Sequence, residues 1–161
     1  MMSEPVRYTL QEAHEMFAKQ INGLVWRLLG QSERTREENE QMESAAFASL
    51  YHWTQVGTPV HGQRGEWLLS HVYTVLGQAE PALRHAERCL ELTEENRELM
   101  EDFDFAYAYE GMARAKALGG DIMQARKFLV MAKATGEKIG DTESKEIFNG
   151  DLASGDWYGV A

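Results

Sequence analysis

The sequence predicts an all-α fold of stacked antiparallel helix pairs, with about three pairs followed by a capping helix. Three observations favour this fold class: apolar residues recur at helical spacing, glycines separate the periodic stretches, and no useful length of alternating strand pattern is present. Only 3 prolines occur, and no Gly/Ser or Ser/Pro run is long enough to act as a linker. We therefore expect the 161 residues to form one domain, 1–161.

The first helix is predicted over residues 10–29. Thr9 followed by Glu12 is a capping box, in which a hydroxyl and a carboxylate satisfy free amides at a helix start. Apolar residues then share one helical face as far as residue 29. Gly30 is expected to end this helix in a left-handed conformation.

The second and third helices have equally clear starts. Thr35 with Glu38 repeats the capping box, and the second helix is expected to run to about Val56. Pro59 suits the first turn of the third helix, because proline has no N–H to leave without a partner there. The third helix is expected to continue to Gly77.

Four further helices and one connection complete the chain. A fourth helix is predicted over about 79–93, and 94–101 is a polar, acidic connection. A fifth helix is predicted over 102–118, with Asp102 as its cap, a sixth over about 122–138, and a capping helix over about 142–153.

Charge and cysteine content exclude several classes of function. The formal net charge is −10 and no basic stripe is present, so binding to nucleic acid or to an anionic membrane surface is not expected. No apolar run reaches the roughly 18 residues of a membrane span. The single cysteine, Cys89, excludes an internal disulfide, and we expect a cytoplasmic protein with this thiol buried and inert.

An internal repeat relates the third and fourth helices to the fifth and sixth. The two turn glycines, Gly77 and Gly120, lie 43 residues apart. The same offset superposes small or apolar residues that would let paired helices approach closely: Ser70 on Ala113, Ala82 on Ala125, Ala86 on Leu129, and Cys89 on Ala132. This spacing predicts two similar helix pairs in series.

The pattern Trp67, Ser70, Tyr73, Gly77, Ala82, Cys89 resembles a tetratricopeptide repeat, most clearly over 63–95 and less so over 106–138. Lys116 and Lys133 depart from the pattern, and a period of 43 exceeds the usual value of about 34. The chain is also similar to a family of uncharacterised bacterial proteins that share stretches such as 64–67 and 102–104. That similarity implies a fold and no activity.

The tetratricopeptide resemblance implies a concave groove lined by the first helix of each pair. Carried over to this sequence, the groove positions are Arg64, Trp67, His71, Tyr107, Glu110 and Arg114. Arg64, Trp67 and His71 also share one helical face by their spacing alone. Such residues suit a peptide that carries a carboxylate; the alternative is that Trp67 is part of the core and the charged residues are solvated surface.

A second interpretation is an enzyme or small-molecule site. Polar residues are dense in 52–73 and 102–110, where His52, Glu66 and Asp104 would line a pocket. No metal-ligand spacing occurs among the histidines, although His52, His71 and Glu66 would form a set across helices. A catalytic pair of Asp104 with its neighbour Asp102 is less favoured than a helix cap.

We therefore predict a protein-interaction module that docks a peptide, a partner segment or its own copy, with no metal and no cofactor. Homodimerisation is expected, because short helical arrays leave terminal faces to cover.

Overall fold

A computed structural model describes residues 1–161 and contains helices only. They are α1 (Leu10–Leu29), α2 (Arg36–Val56), α3 (Pro59–Val75), α4 (Ala79–Glu95), α5 (Asp102–Leu118), α6 (Ile122–Gly136) and α7 (Thr142–Ala153), with a short 3-10 turn at Arg97–Leu99. The predicted all-α fold class is confirmed, and no helix boundary is more than two residues from its prediction.

Consecutive helices pack against each other as antiparallel pairs. The closest pairs are α1 with α2, α3 with α4, and α5 with α6, while α3 also contacts α5 and α7 lies on α5 and α6. Buried hydroxyl groups join paired helices: Ser49 Oγ donates to Ala18 O at 2.9 Å, and Ser70 Oγ donates to Ala82 O at 2.8 Å. Small side chains at these contacts let the helix axes approach.

The 43-residue repeat has the same geometry in both copies. Gly77 and Gly120 have φ angles of 72° and 85°, the left-handed region that glycine occupies without strain. In each copy the residue after the glycine donates its N–H back into the preceding helix at 2.9 Å, which closes the turn. Ala82 and Ala125, at matching positions, are both fully buried.

Three apolar clusters form the core. The largest joins α1 through α5 and includes Val25, Leu69 and Val72, all of which are fully buried. The other two hold α6, α7 and the C-terminal residues to α5, with Phe148 and Trp157 as their large side chains. No helix is both long and apolar enough to cross a membrane.

Two predicted helix ends are wrong in detail. Gly30 is not left-handed, since its φ is −74°. Instead, Arg34 Nη1 donates to Leu28 O at 3.2 Å and to Gln31 O at 3.0 Å, so a side chain satisfies the terminal carbonyls. The cap of α5 is Glu101 rather than Asp102, because the Asp104 carboxylate reaches back to the Glu101 N–H at 3.1 Å.

Candidate functional site

A cavity of about 530 Å³ lies between α1, α2, α3, α5 and α7. Its walls are mainly apolar and include Trp26, Leu50, Trp53, Trp67, Leu68, Phe103, Tyr107 and Ile147. Its charged and polar lining comes from Lys19, Asn22, His61, Arg64, Asp104 and Asp151. Three of the residues predicted for a groove (Arg64, Trp67 and Tyr107) therefore line one cavity.

Trp67 is the centre of an aromatic array. Its ring stacks on His71 with centroids 5.1 Å apart and on Trp26 at 6.1 Å, and it meets the Tyr107 ring edge-on at 5.0 Å. Each contact fixes the neighbouring ring, so α1, α3 and α5 present one continuous aromatic surface. Trp26 is 44% exposed, which leaves that surface accessible.

Arg64 and Asp104 form an ion pair at the edge of the cavity. Arg64 Nε donates to Asp104 Oδ1 at 2.8 Å, and the Arg64 side chain is 53% exposed whereas that of Asp104 is 1% exposed. The Arg64 guanidinium also lies 5.8 Å from the centre of the Phe103 ring. Only Nε of Arg64 is bonded within the chain. Its two terminal nitrogens therefore have no partner within the chain, and Arg64 is one of the residues that line the cavity.

Glu110 and Arg114 do not line the cavity. The Glu110 carboxylate accepts from Trp67 Nε1 at 2.8 Å and from Arg114 Nε at 2.9 Å, and both charged side chains are buried. The terminal nitrogens of Arg114 donate to backbone carbonyls at the C-terminal end of α7 and just after it. Both residues were predicted for the groove, and both lie behind the cavity wall: Glu110 is bonded to Trp67 and Arg114, and the terminal nitrogens of Arg114 are bonded to carbonyls of the chain's own C-terminal segment.

The helix α7 supplies the remaining wall of the cavity through Ile147 and Asp151. The Tyr107 hydroxyl donates to the Asp151 carboxylate and so joins α5 to α7. Burial raises the pKa of Tyr107, and the hydrogen bond to Asp151 adds to the rise. The phenol is therefore a fixed donor throughout the physiological pH range.

His71 lies beside Trp67 without lining the cavity. Burial lowers the pKa of its imidazole, an effect that the Glu110 carboxylate opposes and the Arg114 guanidinium reinforces. The neutral imidazole is thus favoured in the folded protein and packs as a flat aromatic surface behind the tryptophan.

The structure separates the residues of the second predicted pocket. His52 Nδ1 lies 2.8 Å from His14 Nδ1, and Glu66 accepts from His85 Nδ1 at 2.7 Å on the side of α3 that faces α4. Only Asp104 reaches the cavity. No group of three or more histidine, cysteine or acidic side chains is close enough to hold a metal ion. The set of His52, His71 and Glu66 therefore does not assemble.

The sequence interpretation missed the contribution of α1. Lys19, Asn22 and Trp26 line the cavity, and their spacing of three and then four residues equals that of Arg64, Trp67 and His71 on α3. This shared spacing was the available signal, since it places three side chains on one helical face. Ile147 and Asp151 on α7 had no such signal, because a pair at a spacing of four is common on any helix.

No protein-family model, curated protein or solved structure matches the chain. The chemistry of the cavity therefore has to be taken from its own residues. These comprise a fixed aromatic surface, a cation with free donors and an acceptor at Asp151. An apolar surface with a few placed polar groups is the lining typical of ligand sites.

Proposed function

We propose that the protein is an interaction module that captures a segment of a partner protein. In this proposal a large apolar side chain of the segment enters the cavity and a neighbouring carboxylate pairs with Arg64. The observation that carries the proposal is the juxtaposition of an open aromatic cavity with an arginine whose terminal donors are free.

The size and lining of the cavity favour an apolar side chain. Its volume of about 530 Å³ lies within the range of about 300–1,000 Å³ typical of ligand sites. Trp26 and Trp67 stack with centroids 6.1 Å apart and Trp53 stacks on His61 at 4.3 Å, so neither pair has room for a third ring between its members. A ligand would therefore lie on these surfaces rather than between them, and would bury tryptophan area that is now exposed.

The charges favour a carboxylate beside that side chain. Asp104 already holds Nε of Arg64, which orients the guanidinium so that its two terminal nitrogens form a fork. A fork of this kind matches the two oxygens of a carboxylate. Lys19 is a second, exposed cation at the cavity. The lining also holds the carboxylates of Asp104 and Asp151, so the two cations offset the local negative charge in a protein with a formal net charge of −10.

The order of the helices favours a polypeptide ligand. Every odd-numbered helix contributes to the cavity wall, together with α2, so the surface extends along the stack of pairs. The tetratricopeptide resemblance implies the same use of first helices and supports a groove for an extended or helical peptide. Because the single cysteine is a buried free thiol, we place this activity in the reducing cytoplasm.

The test begins with selection of random twelve-residue peptides on the immobilised protein, followed by calorimetric titration of the enriched sequences. We expect these sequences to share an aromatic or large aliphatic residue with an acidic residue nearby. Arg64→Gln should weaken their binding about tenfold or more, which is the effect of losing a hydrogen bond between charged groups. Ile147→Asp should weaken it at least as much, because it places a carboxylate in the apolar wall.

Val130→Asp is the matched control. Val130 is 67% exposed on α6 and does not line the cavity, whereas Ile147 is 52% exposed and does. Both variants replace an exposed apolar side chain by aspartate at a helical position. Peptides that bind all three variants as tightly as the wild type, or no enrichment over the uncoated surface, would contradict the proposal.

A second candidate is a small-molecule or enzymatic site in the same cavity. It is favoured by Arg64, Asp104 and His61, which come from the polar stretches 52–73 and 102–110 and all line this cavity. A rise in melting temperature with one metabolite, lost in Arg64→Gln, would support it over the peptide proposal. A second copy of the chain is a further source of a docked segment, and molar mass by light scattering at several concentrations tests for it.

A further inference from the structure

The helix α7 is held to the rest of the protein by few side chains. Phe148 is its one buried residue, and its ring meets that of Tyr107 edge-on with centroids 5.0 Å apart. The residues after α7 add Trp157 and Val160, both of which are buried against α5 and α6. Ile147 and Asp151, on the same helix, form one wall of the cavity. The helix α7 thus forms one wall of the cavity, and the docking of this helix depends on the small apolar contact of Phe148.

Arg114 provides a polar anchor for this segment. Its Nη2 donates to Asp151 O and to Ser154 O, each at 2.7 Å, and its Nη1 donates to Asp156 O at 3.2 Å. Its guanidinium also lies 3.8 Å from the centre of the Trp157 ring. These carbonyls belong to the C-terminal end of α7 and the turn after it, where a cation is favourable. One buried guanidinium therefore donates the hydrogen bonds that water would otherwise donate to three carbonyl groups.

The same guanidinium is joined to the cavity wall. Arg114 Nε and Trp67 Nε1 bond to the two oxygens of the Glu110 carboxylate, at 2.9 and 2.8 Å. A continuous path of hydrogen bonds thus runs from α7 through Arg114 and Glu110 to Trp67. A second connection runs from Asp151 to the hydroxyl of Tyr107. Two aromatic walls of the cavity are consequently oriented by groups that also hold α7.

We propose that α7 and residues 154–160 are a dockable wall of the binding site, and that Arg114 is the positioning residue that couples their docking to the orientation of Trp67. This role rests on the proposed binding function of the cavity. A ligand that contacts both Ile147 and the tryptophan surface stabilises the docked segment, and by reciprocity the docked segment raises the affinity for the ligand.

The test measures hydrogen exchange of residues 142–160 in the full chain, with and without 8-anilinonaphthalene-1-sulfonate. This dye combines aromatic rings with an anion and serves as the probe of the cavity. Saturating dye should slow exchange in α7. Arg114→Lys should speed exchange there about tenfold or more, because lysine cannot reproduce the fork that bonds the carbonyls. It should also weaken dye binding while leaving exchange in α1 to α4 unchanged.

Arg126→Lys is the matched control, since Arg126 is exposed on α6 and its side chain makes no hydrogen bond or ion pair within the chain. Where Arg114→Lys fails to fold, Tyr107→Phe removes the hydroxyl bond to Asp151 alone and should give a smaller change of the same kind. Uniformly faster exchange in all helices would overturn the proposal by showing a purely structural role for Arg114. Local opening of α7 with unchanged dye affinity would overturn the coupling.

The dye experiment and the peptide selection test the two proposals independently. If the dye slows exchange in α7 but no peptides are selected, peptide capture is rejected and this inference stands. Selected peptides that bind the wild type and Arg114→Lys equally well would reject the inference and leave the proposed function standing.

Discussion

Replacing Gly136 by alanine should destabilise the protein by about 1–2 kcal/mol, although alanine is the better helix former. Gly136 is the last residue of α6 and lies against the ring of Phe148. An added Cβ would be 2.4 Å from Phe148 Cε1 and 2.8 Å from Cδ1, while carbon atoms in ordinary contact are 3.4–4 Å apart. The ring would have to move by about 1 Å to restore contacts at the usual distance of about 3.5–4.0 Å.

Two opposing effects set the magnitude. Overpacking a filled site typically costs about 1–3 kcal/mol. The approach of 2.4 Å to Phe148 places the cost in the upper part of that range, at about 2–3 kcal/mol. Alanine returns up to about 1 kcal/mol of helix propensity, which leaves a net loss of about 1–2 kcal/mol. For a chain of this size the melting temperature should fall by about 2–8 °C. The displaced ring also presses on Tyr107, so the change should extend to the cavity.

Urea unfolding followed by tryptophan fluorescence measures the effect, with Gly23→Ala and Gly150→Ala as controls. Both glycines are in helix interiors, and an added Cβ meets nothing within 4 Å at either position. Each control should raise the free energy of unfolding by about 0.5–1 kcal/mol. Phe148→Leu combined with Gly136→Ala should lose less than the two single losses together. If Gly136→Ala matches or exceeds the wild type while the controls behave as expected, the packing of α7 described above is refuted.

Three further predictions concern titratable groups. Burial lowers the pKa of His71 below its unfolded value of about 6.5. The neutral form therefore contributes stability that is present above that pH and lost on acidification, and His71→Gln should flatten the melting temperature between about pH 5 and 7. Burial, with a hydrogen bond to Glu43, raises the pKa of Tyr73 to about 12. Its contribution to stability is thus complete below about pH 10 and declines toward about pH 12. The ultraviolet absorbance of the phenolates should show late ionisation whose amplitude is smaller in Tyr73→Phe. Burial also raises the pKa of Cys89, so its thiol should react with a disulfide reagent only when the protein unfolds; rapid reaction of the native protein would contradict this.

The helices were predictable because their signals are local. The capping boxes at Thr9 and Thr35 each involve residues three apart, and both form as expected. Gly77 and Gly120 end helices in the left-handed conformation for the same local reason. The prediction of a left-handed Gly30 was wrong because the Arg34 side chain donates to a carbonyl at the end of α1 instead. Residue type alone does not reveal this alternative.

The candidate site was predictable only where its residues lie on one helix. Spacing placed Arg64 and Trp67 together, and both line the cavity. The tetratricopeptide resemblance also placed Glu110 and Arg114 on the groove side. Arg114 instead donates to carbonyls at the end of α7 and after it, about 40 residues along the chain, and Glu110 accepts from Arg114. Nothing in the sequence near Arg114 indicates that distant carbonyls will need a donor. The decision between ligand contact and internal support therefore required the tertiary structure.

The position of α7 in the chain sets when the cavity can be completed. During synthesis, Arg114 leaves the ribosome well before its acceptors at Asp151, Ser154 and Asp156, which lie 37 to 42 residues later. Until then the buried pair of Glu110 and Arg114 lacks its carbonyl partners, and the cavity lacks Ile147. A nascent chain can form its first two helix pairs from local contacts. The cavity is therefore complete only after residues through Asp156 have been synthesised and have folded onto α5, and the proposed capture of a partner depends on that step.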